Sequence, residues 1–282
     1  REQSIGVEKM SKKSAEIVLS KSELQERRRK ILYRILPVVS VLLLIIAWVV
    51  ASGGDQSAFP SPMAVYERFL KFLEKPVQKL SLGQHILASL GRVLAALISS
   101  WVLGISFGIL IGWNKKANAL LGPIFTAFRV VPPLAWIPLI TIWFGTGEFP
   151  KILVVFIGAV MPVVVNTQAG MSNVDQQYLD VGRIFNANKR QLLLDFAIPS
   201  ALDAIFAGVR TSASAAWMVV LAAEMLGGKS GVGFLITRGM ESGDLPLVLL
   251  SMICIGVIGA ILAIAMQLIE RWVCPWTVKK SN

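Results

Sequence analysis

Beyond its first apolar run, five charged side chains fall inside the long apolar runs of this 282-residue chain: Arg92, Arg129, Asp203, Arg210 and Glu224. A charge in such a run is costly and is a functional candidate by default. Arg129 stands just before Pro132, Pro133 and Pro138, which interrupt their run. Broken helices are tolerated at membrane depth where they face protein or a water-filled cavity. There Arg129 suits either contact with an anion or a hold on a neighbouring helix end. Asp203 and Arg210 are seven apart and share one helix face, which favours a structural role. Glu224 fits a gate or receiving surface, or an interfacial carboxylate reaching water. Arg92 is expected to snorkel outward along its aliphatic stem.

Other reactive residue types offer little. His85 is the one histidine, with no Cys or carboxylate cluster beside it, so no metal site is legible and an interfacial position is expected. Cys254 and Cys274 are too few for a disulfide framework and read as buried thiols. Gly228-Lys229-Ser230 ends like a phosphate-binding loop, but that pattern needs a Gly where Ala223 stands, and no strand precedes it. ATP is therefore expected on a different chain. No paired Asp or Ser-His converges to suggest an intramembrane enzyme.

The elements that carry these residues follow from composition. Apolar residues make up 55% of the chain and charged ones 16%, where a soluble domain carries about a quarter charged. A soluble enzyme, a disordered chain and a fibre are all disfavoured. About 20 apolar residues cross a bilayer as one helix. Such runs occur at 31–52, 86–113, 119–145, 152–170, 201–226 and 245–269, the last with no charge at all. The expected fold is all-α and membrane-embedded, with six transmembrane helices and both termini cytoplasmic. On that topology 18 of the 28 Lys and Arg fall on the cytoplasmic side and 7 outside. This obeys the positive-inside rule, so the net charge of +11 needs no nucleic acid to explain it.

Residues 1–30 form a basic cytoplasmic tail, 31–276 the transmembrane domain, and 277–282 a second tail. The first tail lacks the apolar core and cleavage site of a signal peptide. Met10 is a candidate start, with residues 1–9 an upstream remnant, and the sequence leaves this open. Arg27-Arg28-Arg29-Lys30 suits anionic headgroups as well as a solvated tail. Phe59-Pro60-Ser61-Pro62 marks an extended entry to a short amphipathic helix over 65–70. Gly104, Gly108 and Gly112 share a face and are expected to let another helix of the same chain come close.

The stretch Gln176 to Pro199 reads as two short helices broken at Asn186–Asn188. Asn tolerates the left-handed conformation of a break, and Asn188 can cap the second helix. Leu179, Ile184, Phe185, Leu192, Leu193 and Phe196 put much apolar surface beside charged groups. Docking into a partner's groove accounts for that, as does packing on the membrane face, and the pattern alone leaves both open.

Over about 31–276 the chain resembles the inner-membrane permease subunits of ATP-binding-cassette importers, in the nitrate, taurine and aliphatic-sulfonate group. That family's loop has Glu-Ala-Ala, a later Gly and a terminal apolar-x-apolar-Pro. Here these positions hold Asp180-Val181-Gly182, Asn186 and Phe196-Ala197-Ile198-Pro199. Further likeness runs in order through Phe59-Pro60-Ser61-Pro62, Ser89-Leu90-Gly91-Arg92-Val93, Arg129 to Leu139, Ile142-Trp143-Phe144-Gly145 and Asn166 to Gly170. It continues through Gly208-Val209-Arg210, Ala222-Ala223-Glu224-Met225-Leu226 and Ser230-Gly231-Val232-Gly233-Phe234. Asp203 departs from the family, which often has proline there.

The resemblance implies a type I importer permease fold in the bacterial inner membrane. It implies a homodimeric core with a second copy of the chain, two cytoplasmic ATPase subunits that carry ATP and Mg, and an external substrate-binding protein. The chain itself would carry no cofactor, do no covalent chemistry and import a small anion. Tyr178, Leu179, Asp180, Gly182, Arg183, Phe185, Asn186, Asn188 and Pro199 would couple to the ATPase. Arg129, Pro132, Pro133, Trp136, Arg210, Trp217 and Glu224 are the candidates for the substrate pathway or gate. The rival reading is an autonomous carrier or channel with no ATPase; the two halves of the chain show no repeat that would favour it.

Overall fold

The computed structural model of the protein describes residues 29, 32–33, 35–53 and 59–275. Most of the expected basic tail and the last seven residues lie outside this range. Within it, the guanidinium of Arg29 stacks over the ring of Tyr33 at 5.5 Å. Contacts divide the chain between Met63 and Ala64 into two units.

In the first unit, helix α1 runs Ile35–Ala51. Its 17 described residues rise about 26 Å, short of the roughly 30 Å of a hydrocarbon core. Its apolar side chains are exposed almost all round, Leu44 and Val50 most of all. The indole of Trp48 donates to the Pro60 carbonyl at 2.9 Å and so fixes the chain that leaves it.

Helix α2 spans Pro62–Glu74, longer than the alternation over 65–70 suggested, with Pro62 as its first residue rather than part of an extended entry. Val65 and Phe72 are its buried face. Helix α3, Leu82–Trp113, opens on a capping box in which Ser81 and Gln84 satisfy each other's backbone N–H. Helix α4, Lys115–Arg129, is capped by Asn114. A 3₁₀ turn at Pro133–Trp136 leads into helix α5, Ile137–Phe144. The two halves of this third apolar run are bent by 87° at the prolines.

Helix α6, Glu148–Ser172, is followed by α7, Gln176–Ile184, and by α8, a single turn at Lys189–Gln191. A π-helical stretch at Leu192–Ala197 joins α8 to α9, Ile198–Met225. Helices α10, Val232–Glu241, and α11, Leu245–Val273, complete the described chain. Among the described residues four helices are long and apolar enough to cross a bilayer, and a fifth if the bent pair counts as one.

Helices α3, α6 and α9 form the core. Val93, Ala96 and Leu97 meet Val155 and Ala159, and both meet Ala213, Ala216 and Val220. The spacing of small residues decides how close the axes come. A Cβ on Gly104 would lie 2.9 Å from Val163, on Gly108 2.6 Å from Thr167, and on Gly112 2.7 Å from Met171. Three glycines at intervals of four thus meet three α6 residues at intervals of four, as expected for packing within one chain. A second apolar cluster, with Met171, Leu179, Ala197, Ala201 and Ile205, closes the opposite end of the core from Glu224.

Candidate functional site

Two ends of the core and the cleft beside it gather the chemistry-bearing residues. At the first end, His85, Ser89 and Arg92 lie along one face of α3, at intervals of four and three. All three are buried. Arg92 does not snorkel. Its guanidinium donates to both oxygens of Glu148 at 2.6 and 2.9 Å, to Glu224 Oε1 at 2.5 Å, and to the carbonyl and Oγ of Ser230 at 3.0 and 2.7 Å. Five bonds use all five of its N–H groups. The aliphatic stem could have reached the interface, but the buried Glu224 and the surface-reaching Glu148 together hold the guanidinium by charge-assisted bonds.

Glu224 is fully buried and does not reach water. Its second oxygen accepts from Ser89 Oγ at 2.9 Å and from the Gly233 N–H at 3.0 Å. Ser89 Oγ in turn accepts from the Val232 N–H at 2.9 Å. Lys151, also buried, donates to Glu148 at 3.0 Å. Two cations and two carboxylates balance, so the cluster meets the condition for burying charge at all.

His85, expected at an interface, is wholly buried between Phe72 and Phe234. Its Nδ1 accepts from the Gly231 N–H at 3.1 Å and Nε2 lies 3.2 Å from the Val77 carbonyl. That pairing defines a neutral ring with the proton on Nε2. Gly231 has φ +112°, and a Cβ there would strike the Glu224 carboxylate. Glycine is required for the 227–233 turn to close over the charge. Ser230, in the phosphate-loop look-alike, is thus an acceptor for Arg92.

At the other end, α7 and α8 break where expected. Asn186 is left-handed at φ +55°, and Asn188 caps α8 in a capping box with Gln191. Leu179 and Gly182 are buried. A Cβ on Gly182 would lie 2.7 Å from Leu192 and 3.2 Å from Phe196, so α7 lies directly on the π-helical stretch. Ile184 and Phe185 are 77% and 78% exposed, and Tyr178 is also exposed. Asp180 pairs with Arg183 at 2.6 Å on the exposed face. Pro199 follows the π-helical stretch inside a helix that runs unbroken from Lys189 to Met225, so the second short helix expected to end there is continuous with α9.

The remaining candidates divide into two groups. Arg129 ends α4 and is exposed, Pro132 and Pro133 form the bend, and Trp136 stacks on Phe128 at 4.7 Å. The buried Trp136 Nε1 has no hydrogen-bond partner among the described residues. Arg210 and Trp217 lie on α9 along a cleft of about 470 Å³ shared with α11. Arg210 binds Glu270 at 2.6 Å, a partner that its spacing from Asp203 does not reveal. Cys254 is half-buried and Cys274 buried, both as free thiols.

Sequence reading missed Glu148, Lys151 and Ser230 as partners and misjudged His85 and Arg92. A signal was available. Three polar residues at 85, 89 and 92 mark one stripe on an otherwise apolar helix.

An apolar helical core with a largely buried ionic cluster at one end, a broken proline span and a cleft edged by Arg210 and Gln267 suit a membrane transport subunit. The chain belongs to the family described as the binding-protein-dependent transport system inner membrane component, which matches residues 102–279. It is a multi-pass inner-membrane permease of the ATP-binding-cassette importers. It is 34% identical to the nitrate import permease NrtB of Synechocystis sp., over 85% of this chain and 89% of that one. It is 32% identical to the bicarbonate transport permease CmpB of Synechococcus elongatus (89% and 94% covered) and to the taurine transport permease TauC of Escherichia coli (83% and 86%). Among solved structures, a chain of the inward-facing MetNI methionine ABC transporter matches with a TM-score of 0.57 and 18% identity. The match covers 66% of this chain and 93% of that one, and bears on the fold alone.

Proposed function

We propose that this chain pairs with a second copy of itself to form the translocation pathway of an importer for a small oxyanion. Two cytoplasmic ATPase subunits drive it, and an external binding protein delivers the substrate. ATP and Mg stay on the ATPase. The topology adopted has six spans, with α1 and the bent α4–α5 pair each counted once, and both termini in the cytoplasm. The basic 1–30 and 277–282 segments are then cytoplasmic tails around a 31–276 transmembrane domain.

The observation that carries this reading is the α7–α8 break. Buried Leu179 and Gly182 hold one side against Leu192 and Phe196, while Ile184 and Phe185 project from the other. An apolar tip held out on a capped, rigid backbone suits a partner's groove. Tyr178, Asp180, Arg183, Asn186 and Asn188 frame that tip, and Pro199 starts the span it moves. The oxyanion class rests on the relatives, whose names specify nitrate, bicarbonate and taurine. Arg129, Pro132, Pro133 and Trp136 at the bend, with Arg210 and Trp217 along the cleft, are assigned to the pathway. Glu224 is assigned to the outer gate as its fixed anchor.

The test is copurification and uptake. The chain, expressed with the ATPase and binding protein encoded beside it, is expected to retain the ATPase and to take up an oxyanion only with ATP inside proteoliposomes. Phe185→Asp and Asp180→Lys are expected to insert normally yet lose the ATPase or its coupling. Uptake by the chain alone, without any ATPase, overturns the proposal in favour of an autonomous carrier. Undiminished coupled uptake by both variants overturns the docking role.

A further inference from the structure

The cleft between α9 and α11 has a composition that its surroundings do not explain. Along α9, Arg210, Thr211, Ser214 and Trp217 follow one another at helical spacing. Across from them, α11 contributes Gly259 and Gln267. Both helices otherwise read as apolar spans. The floor is built: Trp217 is buried, its indole donates to the Ile255 carbonyl at 3.2 Å, and a Cβ on Gly259 would lie 3.0 Å from that indole nitrogen. The volume, about 470 Å³, lies in the range of small-molecule sites.

The walls are largely apolar, with Met218, Leu262 and Ala263 among them, and the few polar groups set into them are only partly committed. Ser214 and Gln267 are exposed and make no hydrogen bond among the described residues. Thr211 returns its hydroxyl to the Ala207 carbonyl at 2.7 Å. The Arg210 side chain is 48% exposed, and among the described residues its one ion-pair contact runs from NH1 to Glu270 Oε2 at 2.6 Å. A guanidinium has five N–H groups in a planar fork that matches two oxygens of a carboxylate-like anion. One oxygen of Glu270 therefore occupies a fraction of what the fork offers. In hydrocarbon, open donors and acceptors of this kind are costly unless water, protein or a ligand meets them.

We propose that this cleft is an oxyanion subsite on the translocation route. Arg210 grips two oxygens of the passing anion, Ser214 and Gln267 complete its hydrogen bonds, and Glu270 is the built-in carboxylate that the anion displaces and that later reclaims the guanidinium. The inference rests on the transport reading above and adds where in this chain the anion is held and by what chemistry. Glu270 lets the site release its cargo: an anion bound by an unopposed arginine would leave slowly, whereas an intramolecular competitor stands ready at 2.6 Å.

The test uses the complete transporter in proteoliposomes, with nitrate, bicarbonate and taurine as probes. The wild-type complex is measured first; ATP-dependent uptake of none of the three counts against the transport reading itself, separately from the subsite. With the probe that is carried, Arg210→Gln is expected to lower uptake about tenfold or more, the worth of one charge-assisted contact. ATP hydrolysis stimulated by the loaded binding protein should remain. Glu270→Gln is expected to lower the apparent KM for the anion and the maximal rate together, because it spares the fork and removes the competitor that speeds release. Ala263→Leu, which fills the cleft without touching a charge, should also lower uptake. If Arg210→Gln does not assemble, Arg210→Lys keeps the charge, loses the fork and should still impair uptake by about threefold or more. The proposal is overturned if Arg210→Gln and Glu270→Gln are equally impaired and the exchanged pair, Arg210→Glu with Glu270→Arg, restores transport. That outcome defines a structural ion pair. Normal uptake by Arg210→Gln or Arg210→Lys, with loss only of copurifying anionic lipid, also overturns it and assigns the fork to a lipid phosphate.

Discussion

The Glu224 end and the Phe185 end of the helix core solve opposite problems. At the first, three charged side chains are buried beside Glu148, which reaches the surface, and nearly every donor and acceptor has a named partner. At the second, the backbone is as well ordered, with two asparagines fixing the break, yet two large apolar side chains point away from the protein. The first has no open valence for a partner and reads as a joint that holds α3, α6, α9 and the 227–233 turn together. The second is self-supporting and leaves its tip uncommitted. A rigid joint at one end and a prepared tip at the other are what a lever needs, provided that the joint is strong and the tip contributes nothing to folding.

That contrast can be broken by stability measurements. Glu224→Ala takes away one of the two carboxylates that hold the buried Arg92 guanidinium and the acceptor of Ser89 and of the Gly233 N–H, a loss that costs up to about 3–5 kcal/mol. The purified variant should show a large fall in thermal unfolding temperature, or fail to accumulate; unfolding like wild type would end the idea of a joint. Gly231→Ala should follow, because it combines a left-handed backbone with a collision at Glu224 and costs about 1–3 kcal/mol from the strain alone. Gly182→Val forces Leu192 and Phe196 aside, for about 1–3 kcal/mol. Hydrogen exchange should then speed up across 176–197 and stay slow around 85–92. Asn188→Ala removes a cap worth about 1 kcal/mol, visible as faster exchange in α8 only. Phe185→Ala sharpens the comparison most at the smallest effect: stability should stay within about 0.5 kcal/mol while ATPase retention falls. A strongly destabilised Phe185→Ala would mean that the tip is part of the core.

The break at Asn186–Asn188, the cap at Asn188 and the glycine face at 104, 108 and 112 were legible because each depends on residues close in sequence, whereas α3, α4 and α6 each begin four residues before the apolar run that marked them. Local backbone preference and helical periodicity are short-range properties. The fate of Arg92 and His85 was not legible in the same way. Whether an arginine in an apolar run snorkels or is sealed depends on what lies opposite, and Glu148 and Glu224 are 56 and 132 residues away. A separation of 60 residues likewise hid Glu270 from Arg210, for which Asp203 was the sequence-near decoy.

From its composition and periodicity alone this chain is an all-helical membrane protein with a helical break in a polar, partner-ready segment, since burying apolar length and turning the backbone are decided residue by residue. Only the tertiary structure decided which charges neutralise one another, which glycines must be glycines because a carboxylate sits above them, and that α9 and α11 leave a cleft edged by Arg210 and Gln267. Those outcomes require side chains far apart in the chain to arrive within about 3 Å, the reach of a hydrogen bond.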